Sequence, residues 1–341
     1  SRMAKLILIL AYWLGIPTLF RYWHRNRLTI LLYHGVRSKQ DTHSTDLRGK
    51  HIPASIFEKH IHYLKKHYHL LSWSEAFSYL QNKQPFPPHS LCITFDDGYA
   101  NQAHVAAPIL NRYNIKTIFY VTTGFLDGEP LWTDRFERAL TAIREPIFEV
   151  IIRGQKKSYA FGAQKNLEET DDKLKRVLKT LTAEERKPIL MELERLAGPL
   201  SPAPLLEPMS WDDARQLTHD GHEIGAHTVT HPILSRESDE TCREELQKSK
   251  EVIEKRLKVP CLHFAYPNGN AADFHQTTIA LVREAGYTSA VTTIPGTVGM
   301  MDDPLRLRRL AIDYCFDQAM FVCTITGVRY WLSNVKQSFF L

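Results

Sequence analysis

The chain has 341 residues, 43% of them hydrophobic and 24% charged, and a formal net charge of +5. That length suits one large domain with an insertion, or two small domains. The basic excess is mild and spread along the chain, and no zinc-finger or RNA-binding pattern occurs. Nucleic acid is therefore not an expected partner, and an anionic surface such as lipid is the most the charge suggests. The five cysteines (Cys92, Cys242, Cys261, Cys315 and Cys323) are scattered, with no pair at Cys-x-x-Cys spacing. A disulfide framework and a cysteine metal site are both disfavoured, and a reducing compartment is slightly preferred. Cys92 and Cys261 fall within apolar runs and read as small buried hydrophobes.

Ser1 and Arg2, ahead of Met3, read as an expression remnant and are set aside. Residues 6–20 are strongly apolar but shorter than the roughly 20 residues needed to cross a bilayer, and Gly15 and Pro17 interrupt them. An aromatic and basic flank follows at once: Arg21, Tyr22, Trp23, His24, Arg25 and Arg27. The pattern predicts a membrane-associating helix over residues 3–27 that lies in the interface, rather than a cleaved signal or a spanning helix. The arginines after the segment outnumber Lys5 before it. By the positive-inside rule the rest of the chain lies on the cytoplasmic side of a bacterial inner membrane, with the periplasmic side as the alternative. A second aromatic segment, 316–341, reads as a C-terminal helix or tail that lies on the same surface or packs in the core.

Between these ends, seven short apolar runs alternate with helical patterns: 28–33, 91–95, 117–121, 223–226, 262–266, 289–292 and 307–312. Helices are expected at 55–67, 74–81, 103–113, 211–220, 237–257 and 273–285, with Gly221 and Gly286 as C-terminal stops. The alternation predicts an α/β fold, a distorted (β/α) barrel of about seven parallel strands over residues 28–315. One connection, residues 124–208, is about 85 residues long, far beyond an ordinary loop. Its 168–197 stretch reads as helix and its proline-rich 198–208 stretch as a linker. An insertion of this kind is expected to cap the active-site face.

In a parallel barrel the reactive groups sit at the C-terminal strand ends. Here those ends read Tyr33-His34-Gly35, Phe95-Asp96-Asp97-Gly98, Ala226-His227, Tyr266-Pro267-Asn268-Gly269 and Ile312-Asp313. His227 and His231, four residues apart, reach the same side if one helical turn joins them. Together with Asp97 they form a three-ligand face for a divalent metal with positions left open, the arrangement that lowers the pKa of a water to about 7. Asp96 points elsewhere and is free to act as a general base. Buried structural hydrogen bonding is the competing explanation, and two such motifs at strand ends weigh against it.

Thr94-Phe95-Asp96-Asp97-Gly98 and His227-Thr228-Val229-Thr230-His231-Pro232 resemble the first two motifs of the polysaccharide deacetylases, the carbohydrate esterases of the NodB-homology class. The resemblance covers about residues 28–313 apart from the insertion. It implies Asp97, His227 and His231 as ligands of a divalent metal, Zn²⁺ foremost, and Asp96 as base. The implied reaction is removal of an N-acetyl group from an amino sugar, on a glycan or lipid-linked sugar. The third motif is only partly present. Pro267 and Gly269 match, Ala265 stands where an arginine would orient the base, and the Asn268 N–H is left to stabilise the oxyanion.

No late motif supplies a catalytic histidine. His34, in a Tyr-His-Gly-Val start like that of the exopolysaccharide- and lipopolysaccharide-associated branch, is the candidate acid, or else orients its turn. Tyr99, Tyr266, Pro267, Trp132 and Arg306 are candidate substrate residues. Trp132 is equally suited to plain packing. The basic run 306–309 either sends one arginine to the base or substrate, or is a solvated, ion-paired strand. The rival readings of function are an O-deacetylase on the same glycans and an inactive, metal-containing glycan-binding module.

Overall fold

The computed structural model describes residues 2–39, 41, 46, 49–161, 167–312 and 317–339; Cys315 and Asp313 lie outside them. Seven parallel strands make the barrel: β1 (Thr29–Tyr33), β2 (Ser90–Phe95), β3 (Ile118–Val121), β4 (Glu223–Ala226), β5 (His263–Ala265), β6 (Ser289–Val291) and β7 (Leu310–Ala311). They pair in the order β6-β5-β4-β3-β2-β1-β7, and a two-residue strand, His69–Leu70, adds to β2. The two ends of this sheet are joined by one short segment. Its first part bonds to β6, with Leu307 N–H on Ala290 O and Thr292 N–H on Leu307 O. Its second part pairs with β1 at Leu31–Leu310 and Leu32–Ala311. The distorted (β/α) barrel read from the sequence is the architecture.

Side-chain alternation along the strands sorts residues into two cores. Ile30, Cys92, Ile118, Tyr120, Ala265, Val291 and Leu307 fill the lumen, with Leu71 and Trp73 among them. Leu31, Tyr33, Ile93, Phe95, Phe119, Ile224, Phe264 and Tyr266 face the surrounding helices. Gly225 is an inward position kept empty for Tyr120: a Cβ there would lie 2.5 Å from the Tyr120 ring. The four cysteines among the described residues are buried and free.

The long connection is more structured than its sequence suggested. Helix Trp132–Ala142, a β-hairpin (Ile147–Ile152 with Gln155–Ala160), and helices Leu167–Leu178 and Ala183–Ala197 share a separate apolar core. The single helix expected over 168–197 is two, because Thr182 caps the second in a capping box with Glu185. The hairpin turns at Arg153-Gly154, both at positive φ (50° and 74°), the conformation that two-residue hairpin turns require.

The N-terminal segment is two helices, Arg2–Trp13 and Ile16–Trp23, bent by 77° where they meet. One face, with Leu8 and Ala11, packs on Cys323 and Val328 of the C-terminal region. The other leaves Leu6, Leu10, Trp13, Leu14, Leu19 and Trp23 exposed. Among the described residues no single helix is long and apolar enough to cross a membrane.

Candidate active site

The inward alternation of the strands continues past their C-terminal ends and builds the site. Ile30 leads to Leu32 and His34, Cys92 to Thr94 and Asp96, Gly225 to His227, and Leu307 to Arg309 and Ala311. Leu32, His34, Asp96, His227, Thr293 and Ala311 all line one cavity of about 430 Å³, together with Asp97, His231, Asn268 and Lys50.

Asp97 escapes the alternation because its φ is +80°, a costly left-handed conformation for a non-glycine residue. It turns its carboxylate toward His227 and His231, away from that of Asp96. Its Oδ1 is 3.5 Å from Nε2 of both histidines, and the three ligand atoms lie within 4.8 Å of one another, all buried. His227 Nδ1–H donates to Ala265 O at 2.7 Å, which leaves its Nε2 lone pair facing the cluster. Burial, reinforced by His227, pushes the His231 imidazole down to about 3, so it is neutral and able to ligate. Burial alone would raise the Asp97 carboxyl, but His227, His231 and His34 together hold it well below the usual carboxylate range. Two imidazole nitrogens and an anionic oxygen converging in a buried space fit a divalent cation of the zinc class.

The two histidines do not share a helix, as their spacing suggested. Residues 227–231 form a tight turn with Thr228 (φ +68°) and His231 (φ +58°) both left-handed, which brings the ring centroids to 4.8 Å. The turn is held from several sides. Glu245 accepts hydrogen bonds from the Val229 and Thr230 N–H groups at 2.7 and 3.0 Å, and from the Thr230 hydroxyl at 2.7 Å. Thr228 Oγ1 accepts from His231 N–H at 3.0 Å.

Asp96 is clamped by an arginine that the sequence reading did not single out. Arg309 Nη1 and Nη2 donate to the two Asp96 oxygens at 2.7 and 2.6 Å, and both side chains are buried, Arg309 fully. Thr94 Oγ1 and Thr292 O accept further bonds from the same guanidinium at 3.0 and 2.8 Å. The arginine absent at Ala265 is thus supplied from the segment that joins the barrel's ends. Of the three arginines in the run 306–309, only Arg309 is inward, in step with Leu307. Arg306 points out, is exposed, and does not line the cavity. Gln102 fixes the Asp96 backbone from behind, its Nε2 donating to the carbonyls of Asp96 and His34 at 2.5 and 2.6 Å. It sits in a π-helical turn, Gln102–Ala106, where a plain α-helix was expected.

Four other expected substrate residues serve the scaffold instead. Tyr266 is an outward position that packs among the helices and donates its hydroxyl to Leu305 O at 3.0 Å. Pro267 is buried and off the cavity wall. Tyr99 is buried and donates its hydroxyl to Asp134 at 2.8 Å, and Lys50 bonds the same carboxylate at 2.9 Å. Trp132 lies under Arg186 and donates Nε1–H to His231 O at 3.0 Å, so it braces the histidine turn rather than offering a face to sugar. His34 and Asn268 do reach the cavity, both half-buried. Asn268 is left-handed (φ +59°), and its side-chain Nδ2 is buried without a hydrogen-bond partner among the described residues.

Comparison with known proteins bears on the family and the fold. A poly-β-1,6-N-acetyl-D-glucosamine N-deacetylase of Staphylococcus aureus is 29% identical over 115 residues, 31% of this chain and 40% of that one. A peptidoglycan-N-acetylglucosamine deacetylase of Bacillus cereus is 35% identical over 77 residues, 23% of this chain and 34% of that one. The matched stretches therefore span well under half the length of these curated relatives. The solved structure of the Streptococcus pyogenes deacetylase PplD in complex with acetate shares the fold, with a TM-score of 0.58 and 19% identity over 88% of this chain and 99% of that one. The family model of polysaccharide deacetylases matches residues 83–290, which include both aspartates and both histidines of the site, and the chain belongs to that family.

Proposed function

We propose that this protein is a metal-dependent deacetylase that removes N-acetyl groups from an amino sugar of a bacterial surface polysaccharide or glycolipid. The observation that carries this reading is a buried Asp97–His227–His231 cluster beside an aspartate, Asp96, held by both oxygens. A binding module has use for the cluster but none for an oriented base. Arg309 also does for Asp96 what an arginine at Ala265 would have done, which weighs against an inactive module.

Asp97, His227 and His231 would hold a divalent ion, which would supply Lewis-acid chemistry to water and the acetyl carbonyl. Asp96, its carboxylate fixed by Arg309, takes the proton from the attacking water. Asn268 presents its main-chain N–H and its unpartnered side-chain amide to the oxyanion that develops on the acetyl group. His34 faces the same cavity and returns a proton to the departing amine. The products are acetate and a free amino sugar.

The same reading places the enzyme on the cytoplasmic face of a bacterial inner membrane, bound through its N-terminal helices. Their outer face is apolar and aromatic, with Trp13 79% and Trp23 74% exposed, and Arg21 and Arg25 stand beside it.

The test is acetate release from N-acetylated oligosaccharides and lipid-linked sugars by wild type and Asp96→Asn, each with chelator and with added Zn²⁺. Release that requires both the ion and Asp96 is the expected result. No release from a protein that binds one ion per chain overturns the reading.

A further inference from the structure

The walls of the catalytic cavity come from two sources. The barrel side offers Leu32, His34, Asn268, Thr293 and Ala311 around the reactive aspartates and histidines. The capping insertion offers Thr133 and one face of the helix Leu167–Leu178 with the residue just after it: Asp172, Lys175, Arg176 and Lys179. Three cations within five residues thus look into the space above the Asp97–His227–His231 cluster.

Helix stability does not explain this grouping. Cations are favoured near a helix C-terminus by roughly 0.3–1 kcal/mol, but like charges three and four residues apart repel by a similar amount. Glu137 pairs with Lys175 at 2.8 Å. Arg176 is exposed at the cavity mouth and makes no ion pair among the described residues. The position of this face is also fixed. Glu137 belongs to the helix Trp132–Ala142, and Asp134 of that helix bonds Tyr99 and Lys50 of the barrel at 2.8 and 2.9 Å. A neutral glycan could use these side chains only as hydrogen-bond donors, whereas an anionic group would also use their charge.

We propose that the substrate carries a phosphate ester on or next to the amino sugar that is deacetylated, and that Arg176, with Lys175 and Lys179, recognises it. A guanidinium fork matches phosphate oxygens in pairs, and flanking ammonium groups add charge without demanding one geometry. This inference rests on the deacetylase reading and narrows its substrate class. The phosphate belongs either to the glycan itself or to the link with a lipid carrier.

The experiment is calorimetric binding to full-length Asp96→Asn protein, which reads recognition without turnover. The probes are a neutral N-acetylhexosamine methyl glycoside, the corresponding 1-phosphate, a short polyprenyl diphosphate-linked N-acetylhexosamine, and a disaccharide carrying a uronate. Both phosphorylated probes should bind at least about tenfold tighter than the neutral and uronate probes, a gap that narrows in high salt. Arg176→Ala with Lys179→Ala should shrink that ratio about tenfold, and Arg176→Glu should shrink it further. Arg176 is exposed, and thermal melts check that each variant folds. Tighter binding of the lipid-linked probe than of the 1-phosphate assigns the phosphate to the carrier link; equal binding assigns it to the glycan. Equal affinity for neutral and phosphorylated probes, or for uronate and phosphate, overturns the inference even where wild type releases acetate. A phosphate preference in a protein that releases acetate from no probe instead defeats the deacetylase reading alone.

Discussion

Arg309 and Asp96 stand 213 residues apart in the chain and meet in the barrel lumen, one guanidinium nitrogen on each carboxylate oxygen. Neither side chain sees solvent to any useful extent, so the pair is worth most for the geometry it imposes. Removing one partner strands the other as an unpaired buried charge.

Arg309→Met should therefore lower stability by roughly 3–5 kcal/mol. In whatever folded fraction remains, deacetylation should fall toward the level of Asp96→Asn, a loss on the order of 10²–10⁴. Arg309→Lys keeps the charge but not the fork and should fall between wild type and Arg309→Met on both measures. Urea unfolding and acetate release at fixed pH read the two effects separately.

Gly124 touches the histidine turn from outside. Its N–H donates to Val229 O at 2.9 Å, and a Cβ at this position would come within 2.5 Å of that oxygen. Gly124→Ala should push Val229 away and shift His231, at a cost of roughly 1–3 kcal/mol. The expected signature is weaker Zn²⁺ binding in a protein that still folds. Added Zn²⁺ at a hundred times its dissociation constant should stabilise wild type by roughly 2.7 kcal/mol and the variant by less. Thermal melts with and without the ion make the comparison.

Four buried histidines set the acid sensitivity of the metal-free protein. Burial pushes His51 and His231 down to about 3, and His222 and His263 down to about 4. Between those values and the ordinary 6.5, the unfolded chain takes up protons that the folded chain does not. Stability should therefore fall as pH drops from about 6.5 toward 4, by at most roughly 1.4 kcal/mol per pH unit for each histidine. Asp97 adds a carboxylate loss only at lower pH. Urea midpoints at pH 7, 6 and 5 should decline in order, well above the range where carboxylates alone would act.

The exposed face of the N-terminal helices should bind vesicles. Co-sedimentation with anionic vesicles is expected to exceed that with zwitterionic ones, because Arg21 and Arg25 flank the apolar surface. Trp13→Ser with Trp23→Ser should reduce binding to both kinds while leaving the melting temperature nearly unchanged. Equal sedimentation of wild type and the double variant would count against membrane attachment through this face.

Much of the site was legible because strand ends and side-chain alternation are local properties. The Asp96-Asp97 and His227–His231 segments announce themselves by residue type at the ends of apolar runs, and the structure brings them together. Arg309 was harder to see. Motif reasoning looked for the arginine beside Pro267, where Ala265 stands. Counting inward positions from Leu307 would have selected Arg309 over Arg306. The histidine turn was misread because spacing of four suggests a helix, whereas left-handed Thr228 and His231 reach the same result through hydrogen bonds to the distant Glu245. Trp132, Tyr99 and Tyr266 are attractive sugar-binding types on composition, but each is committed elsewhere by a partner that no local pattern reveals, and Pro267 is buried off the cavity wall. The Ile147–Ile152 hairpin lacked an Asn-Gly turn to mark it.

The join between the barrel's two ends also sets an order of events on the ribosome. Asp96 leaves the tunnel 213 residues before the arginine that holds it. At roughly 5–20 residues per second, that is a delay of about 10–40 s. Throughout it the ring is open and Asp96 has no partner, while the Asp97–His227–His231 cluster is complete only once His231 has emerged, ahead of Arg309. The cluster can therefore assemble before the clamp on Asp96, which arrives only with the last strand.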